Sequence, residues 1–216
     1  VEALKKIVGD EFVTTEDYPR LAVAYGCTGY DLLRLRHKQI ENLPDVVVYP
    51  DTTEQVEQLV AYAVENKIPL YVYGGGSSVT RGMEAVKGGM TLDMRKRFNK
   101  VISFNETDQT ITVQAGMSGP KLEETLQSAP KLFGAKRAYT CGHFPQSFEY
   151  SRVGVWTVTR AAAHPTTYSR PTTDTLLPPT YPPPTPPHLS SPYPPHPPPP
   201  PLLPPTLPRS RTLAAP

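Results

Sequence analysis

The residues of this chain that can do chemistry through their backbone lie in Pro69-Leu70-Tyr71-Val72-Tyr73-Gly74-Gly75-Gly76-Ser77-Ser78-Val79, an apolar run that stops at three glycines and two serines. Three successive residues without a Cβ tolerate φ > 0 and let another molecule come within hydrogen-bonding distance of the main chain. Consecutive N–H groups, helped by the Ser77 and Ser78 hydroxyls, can cradle a phosphate or pyrophosphate without any lysine. The other reading of the same residues is a tight, glycine-rich surface turn.

A second informative stretch is residues 139–151, Tyr-Thr-Cys-Gly-His-Phe-Pro-Gln-Ser-Phe-Glu-Tyr-Ser, which has neither helical nor strand periodicity. It reads as a loop with specific chemistry. His143 can serve there as an acid or base, or as a hydrogen-bonded structural residue, and without a placed partner the structural role is the default. Cys27 and Cys141 lack CxxC or Cys/His spacing, so they imply neither a disulfide framework nor a metal site, and each reads as a small buried or half-buried side chain.

The elements that must position the glycine loop follow from periodicity. Residues 46–49 are strand formers stopped by Pro50, and Thr52 or Thr53 caps a helix running to about Asn66. Val56, Leu59, Val60, Ala63 and Val64 form its apolar face. The next strand, residues 68–73, delivers the loop. A parallel pair joined by a helix places such a loop at the carboxyl end of its strand, where open α/β sheets bind ligands. The loop is not the dinucleotide fingerprint, because no helix opens directly behind it, and it lacks the Gly-Lys-Ser/Thr of a P-loop.

Around this unit the pattern predicts a short helix over residues 2–8 stopped by Gly9, and a further turn entered through residues 14–17. Residues 21–43 are mixed, with Leu32, Leu33, Leu35 and Ile40 as the expected buried positions. Strands are expected at 90–94, 101–104 and 110–114, the last with Ile111 and Val113 on its buried side. Arg95, Lys96, Arg97 and Lys100 read as a solvated basic loop. Ser118 and Pro120 open a helix from Lys121 to about Gln127. The fold class is therefore α/β with an antiparallel, α+β component.

Composition divides the chain in two. Of 28 prolines, 21 lie from Pro165 onward, whereas 19 of 20 acidic residues lie in residues 1–150. Those first 150 residues carry 17 basic against 19 acidic side chains, a formal charge of −2, so the overall +2 comes from the tail and argues for neither nucleic acid nor an anionic membrane surface. No apolar run approaches the roughly 20 residues of a transmembrane helix, and no targeting signal is visible.

Residues 44–50 (Pro-Asp-Val-Val-Val-Tyr-Pro), the capped helix, the loop at 73–79, Thr-Val-Gln-Ala-Gly at 112–116 and Gly-His-Phe-Pro-Gln-Ser at 142–147 occur in an order that resembles the FAD-binding domain of the vanillyl-alcohol-oxidase (PCMH-type) family. The continuation through Ser151, Val153, Gly154, Trp156, Thr159 and Arg160 is most similar to the alkylglycerone-phosphate synthases and related bacterial FAD-linked oxidases. The resemblance implies FAD as cofactor, with Val72, Tyr73, Gly74, Gly75, Gly76, Ser77 and Ser78 wrapping its pyrophosphate. It also implies that Gln146, Ser147, Phe148, Glu149, Tyr150, Ser151 and Arg152, then Thr159, Arg160, Ala161 and Ala162, lie along the flavin and its ribityl-phosphate chain. The implied organisation is a helical lead-in at 1–43, an incomplete FAD-binding domain at 44–164, and a tail at 165–216.

Three departures stand out against the family pattern Ser-Thr-Val-Gly-Gly-Trp followed by Thr-Arg and a later glycine: Arg152 replaces threonine, Val155 the second glycine, and Ala163 the later one. A side chain at Val155 is expected to press on the flavin site. The tail cannot build a packed core and is expected to be disordered with polyproline II character. It reads either as a degraded or shifted reading of the coding sequence, with the fold truncated mid-domain, or as a ligand for SH3 or WW grooves.

The resemblance leaves three functions open. The first is ether-lipid synthesis by alkyl transfer through a flavin N5 adduct, on an acylated dihydroxyacetone phosphate. The second is a 2-hydroxyacid dehydrogenase or oxidase of D-lactate or glycolate type. The third is a non-catalytic proline-rich interaction protein with a decayed FAD domain. The parent enzyme takes a small-molecule substrate, forms a homodimer by resemblance, and is cytoplasmic in a bacterium or peroxisomal in a eukaryote. The chain as written is expected to lack turnover, and no catalytic residue is assigned.

Overall fold

A computed structural model describes residues 1–159 and Ala161, all within the compact unit Val1–Pro178. The expected tail at 165–216, together with Arg160 and Ala162, lies outside the described residues.

The chain begins with helix α1 (Glu2–Val8), stopped at Gly9, and a 3-10 turn, Asp10–Phe12, leads into the short strand β1 (Val13–Thr14). Helix α2 (Asp17–Leu21) follows without a side-chain cap, because Thr14 instead accepts from the Glu16 amide at 3.2 Å. Next come α3 (Gly29–Arg36), β2 (Val46–Val48), α4 (Thr53–Glu65), β3 (Leu70–Tyr73) and β4 (Met90–Asp93). The four strands form one sheet in the order β1-β2-β4-β3, with β4 parallel to both β2 and β3 and β1 antiparallel to β2. The β2-α4-β3 unit is therefore parallel as its pattern predicts, but its two strands are not neighbours: β4 enters between them.

Alternation along β2 sends Val46 and Val48 to one face and Val47 to the other. The first face packs with Leu4, Val8, Leu59, Ala63, Met90 and Leu92, beneath α1 and α4. The second packs with Val23, Tyr49, Tyr73 and Met83. Helix α4 turns a narrower stripe inward than its periodicity suggests: Leu59 and Ala63 are buried, but Val60 and Val64 are exposed. Its start is fixed by Thr52, whose hydroxyl accepts from the Gln55 amide at 3.3 Å. Thr52→Ala is expected to cost about 1 kcal/mol, read as a lower urea midpoint at unchanged slope.

Helix α3 overturns the expected core positions. Leu32, Leu33 and Leu35 are 59%, 53% and 37% exposed, Ile40 is only half-buried, and Asp31 and Arg34 are buried instead. Asp31 and Arg34 lie three residues apart on one helical face, and that face meets the carboxylate of Glu84, which bonds Arg34 Nη2 at 2.9 Å. A partner for buried charge decided the orientation of this short helix. The basic stretch after β4 is likewise not a freely solvated loop: Lys96 lies 4.0 Å from the Tyr49 ring centre, Arg97 covers Phe12, and Lys100 pairs with Asp51 at 2.7 Å.

Strands β5 (Val101–Asn105) and β6 (Thr110–Val113) form the expected antiparallel hairpin. It packs with α5 (Gly119–Gln127) and α7 (Val153–Thr159) around Met117, Leu122, Leu126 and Trp156. Helix α6 (Ala129–Phe133) and α7 have no counterpart in the periodicity analysis. None of the described helices is long and apolar enough to cross a membrane.

Candidate functional site

Strand β3 ends at Tyr73, and the loop Gly74–Ser78 leaves the carboxyl edge of the sheet there. The parallel ladder ends where the Met94 amide donates to the Tyr73 carbonyl at 3.1 Å. Beyond that point, among the described residues, the amides of Gly74, Gly75, Gly76, Ser77 and Ser78 donate to no backbone or side-chain acceptor. Gly76 takes φ 71°, which turns the chain and faces the Tyr73 hydroxyl. Half-buried main-chain donors of this kind call for an acceptor from elsewhere. On the far side, Ser78 is anchored: its carbonyl accepts from the Cys27 amide at 3.2 Å and its hydroxyl from the Thr80 amide at 3.3 Å.

The second predicted segment meets this loop directly. Gly75 lies against the Tyr150 carbonyl, so closely that a Cβ there would collide with the oxygen. A Cβ on Gly74 would fall 2.9 Å from Val155 Cγ2 and 3.5 Å from Arg152 Cγ. The structure thus brings Gly74, Gly75 and residues 150–155 together, with Val155 Cγ2 filling the space beside Gly74 that a side chain there would need.

Other predicted positions serve the fold. Residues 145–151 wind through a tight turn in which Ser147 has φ 62° and its carbonyl accepts from the Tyr150 and Ser151 amides, at 2.9 and 2.8 Å. The Ser151 hydroxyl accepts from the Trp156 indole, and the Phe148 ring stacks on the same indole with centroids 5.5 Å apart. Gln146, Glu149 and Tyr150 are exposed. The Thr159 hydroxyl is spent on the Val155 carbonyl at 2.7 Å, and Ala161 packs against the Trp156 cluster. Val72 is 59% exposed on the edge strand.

His143 is 4% exposed, edge-on to Trp156, and burial pushes its imidazole below the ordinary value, which favours the neutral ring. That environment agrees with the structural reading. Cys27 is exposed rather than half-buried, and burial raises the Cys141 thiol. No group of three or more His, Cys, Asp or Glu side chains among the described residues is arranged to hold a metal ion.

Two site residues escaped the sequence analysis. Asp93, 1% exposed at the end of β4, accepts from Arg95 Nε at 2.9 Å and Nη2 at 2.7 Å. Arg95 then covers the Tyr73 ring, 4.5 Å from its centre. Burial first, opposed by Arg95, raises the Tyr73 hydroxyl, which keeps it a proton donor. The available signal was positional, since residues at the carboxyl ends of adjacent parallel strands converge, but the adjacency of β3 and β4 is a tertiary fact.

Residues 44–177 match a family described as an FAD binding domain. Alkyldihydroxyacetonephosphate synthase of Dictyostelium discoideum is 32% identical over 167 residues, covering 76% of this chain and 26% of that protein. The mitochondrial D-lactate dehydrogenase [cytochrome] 1 of Saccharomyces cerevisiae is 29% identical over 136 residues, covering 62% of this chain and 23% of that protein. A solved alkyldihydroxyacetonephosphate synthase superposes with a TM-score of 0.68 at 32% identity, over 76% of this chain and 32% of that one. The chain spans about a quarter of the length of these curated relatives.

Proposed function

This chain belongs to the FAD binding domain family, and we propose that it is the cofactor-holding part of a flavin-dependent enzyme of alkyldihydroxyacetonephosphate synthase type. FAD is its cofactor. The observation that carries the reading is the run of five amides, Gly74 to Ser78, without an acceptor among the described residues at the carboxyl edge of a parallel sheet. The residues present fit a diphosphate: successive N–H donors, the half-buried Ser77 and the protonated Tyr73 hydroxyl suit a dianion.

Gly74–Ser78 would hold the diphosphate, and residues 150–155 would flank it. The flavin ring, when bound, supplies an electron-accepting centre that no amino-acid side chain provides. The protein's part is orientation. Tyr73 is held between Arg95 and Gly76, and the Tyr150 carbonyl fixes the height of the loop over the turn. The substrate reading, a lipid-like acylated dihydroxyacetone phosphate, draws on the wider match to the synthases, over 76% of this chain, than to the D-lactate dehydrogenase of Saccharomyces cerevisiae, over 62%. The chain as written is proposed to bind cofactor without turnover, and product formation from such a substrate and a long-chain alcohol would overturn that part.

Titrating the 216-residue protein with FAD, followed by quenching of flavin fluorescence, tests the central reading; saturable one-to-one binding is expected. The Val155 side chain offers a second test. Val155→Gly is expected to bind FAD roughly tenfold more tightly, because removing the Cγ2 that fills the space beside Gly74 lets the cofactor approach the loop backbone more closely. The same change should lower stability by about 1 kcal/mol, since glycine weakens α7. Unchanged affinity with lowered stability would put Val155 outside the reach of the cofactor.

A further inference from the structure

We propose that Arg152 is a phosphate-binding residue particular to this chain, its guanidinium donating to the same diphosphate oxygens that the Gly74–Ser78 amides hold; this rests on the FAD reading above. Three independent observations converge on it.

The first is position. The Cβ and Cγ of Arg152 lie beside Gly74, 3.7 and 3.5 Å from where a Cβ on that glycine would stand. The backbone there is fixed, because Arg152 bridges to Ser118 and the preceding Tyr150 carbonyl rests on Gly75. The arginine therefore moves with the loop and not independently of it.

The second is a donor without an acceptor. Arg152 Nε is buried and has no hydrogen-bond partner, and among the described residues Arg152 enters no ion pair. The carboxylate in its surroundings is Asp93, whose two oxygens are both taken by Arg95. An arginine stays charged in a protein, and the carboxylate that favours this charge, Asp93, is already bonded to a second cation, Arg95. Burial, and then Arg95, disfavour that charge, which is the expected signature of a site completed by an anion.

The third is what lies next to it. Among the described residues, the five successive amides and Arg152 Nε lack acceptors on two segments that meet at Gly74, and charge-assisted bonds to phosphate are the strong kind. The threonine of the family pattern at this position offers one neutral hydroxyl. Arginine adds a full charge, so FAD binding by this chain should depend on ionic strength more than amide donors alone would require.

The test uses the 216-residue protein, its R152Q and R152K variants, and FAD titrations at several potassium chloride concentrations. R152Q is expected to weaken FAD binding roughly 10- to 100-fold at low salt and to flatten the salt dependence. R152K should regain part of the affinity and most of the salt slope, a readout that a merely structural arginine would not give. Equal affinity and equal slope for the wild type and R152Q would overturn the role of Arg152 while leaving the FAD reading intact. R152K no better than R152Q, with the wild-type slope retained in both, would also overturn it, as a packing role. No FAD binding by the folded wild-type protein would overturn both readings together.

Discussion

Gly75→Val is expected to abolish FAD binding and to destabilise the fold. A Cβ on Gly75 collides with the Tyr150 carbonyl oxygen and falls 2.7 Å from its carbon and 3.1 Å from Ser151 Cα. All three are backbone atoms, so no side chain can swing aside. Either the loop lifts away from the turn at 147–151, dispersing the amides of Gly74–Ser78, or the turn itself shifts and disturbs the Ser151 to Trp156 bond. Forced overpacking costs about 1 to 3 kcal/mol, and backbone that cannot relax puts this site at the upper end. FAD titration and urea unfolding measure the two effects separately. Gly82→Ala, at a glycine with open space around it, is the matched control and should leave both unchanged. Retained FAD affinity in Gly75→Val would count against the loop as the diphosphate site.

The second large effect is expected at Arg34, far in sequence from the loop. Its guanidinium, 2% exposed, bonds Glu84 at 2.9 Å and Glu41 at 3.1 Å, and lies 4.6 Å from the centre of the Tyr25 ring. Glu84 also accepts from Asn42 at 2.6 Å and from Arg81 Nε at 2.7 Å. Arg34→Met leaves Asp31 and Glu84 buried without their principal cation. Breaking a buried pair in this way costs about 3 to 5 kcal/mol, a large part of the roughly 5 to 15 kcal/mol that holds a domain together. In the double variant with Glu84→Gln the cost should be less than the sum of the two singles, because one of the two stranded carboxylates is then gone.

The same network sets an acid limit. Burial would raise the Glu84 carboxyl, but hydrogen bonds from Arg34, Asn42 and Arg81 together outweigh it and hold the group below its ordinary value of 4.5. A carboxyl depressed in the folded state contributes stability that is complete above the unfolded value and lost as pH falls through the folded one. Wild-type stability should therefore decline below about pH 4.5, and Glu84→Gln should remove this part of the decline. An identical acid profile in the two proteins would show that Glu84 is not the group responsible.

The network also explains where sequence analysis misjudged α3. Three leucines in an eight-residue helix look like a core face, yet they face outward, because the helix is oriented by Glu84 about fifty residues further on. Val60 and Val64 were misplaced for a related reason: α4 meets the sheet along Leu59 and Ala63, and the width of that stripe depends on what packs opposite.

By itself the sequence determined the β2-α4-β3 unit, the glycine loop at the end of β3, the β5–β6 hairpin, the capped start of α5 and the FAD-binding family. These follow from short-range rules: alternation in strands, apolar spacing in helices, caps, and glycines where the backbone must be approached closely. Only the tertiary structure decided that β4 separates β2 from β3, and hence that Asp93 and Arg95 brace Tyr73. It also decided that Phe148 and Ser151 support Trp156, that Gly75 meets the Tyr150 carbonyl, and that Arg152, whose Nε has no acceptor among the described residues, lies beside Gly74. Apart from the two contacts to Trp156, which are local but lie in a turn without periodicity, these contacts join residues about 20 to 80 positions apart. They depend on strand order and on which buried charge finds a partner, quantities that local periodicity does not encode.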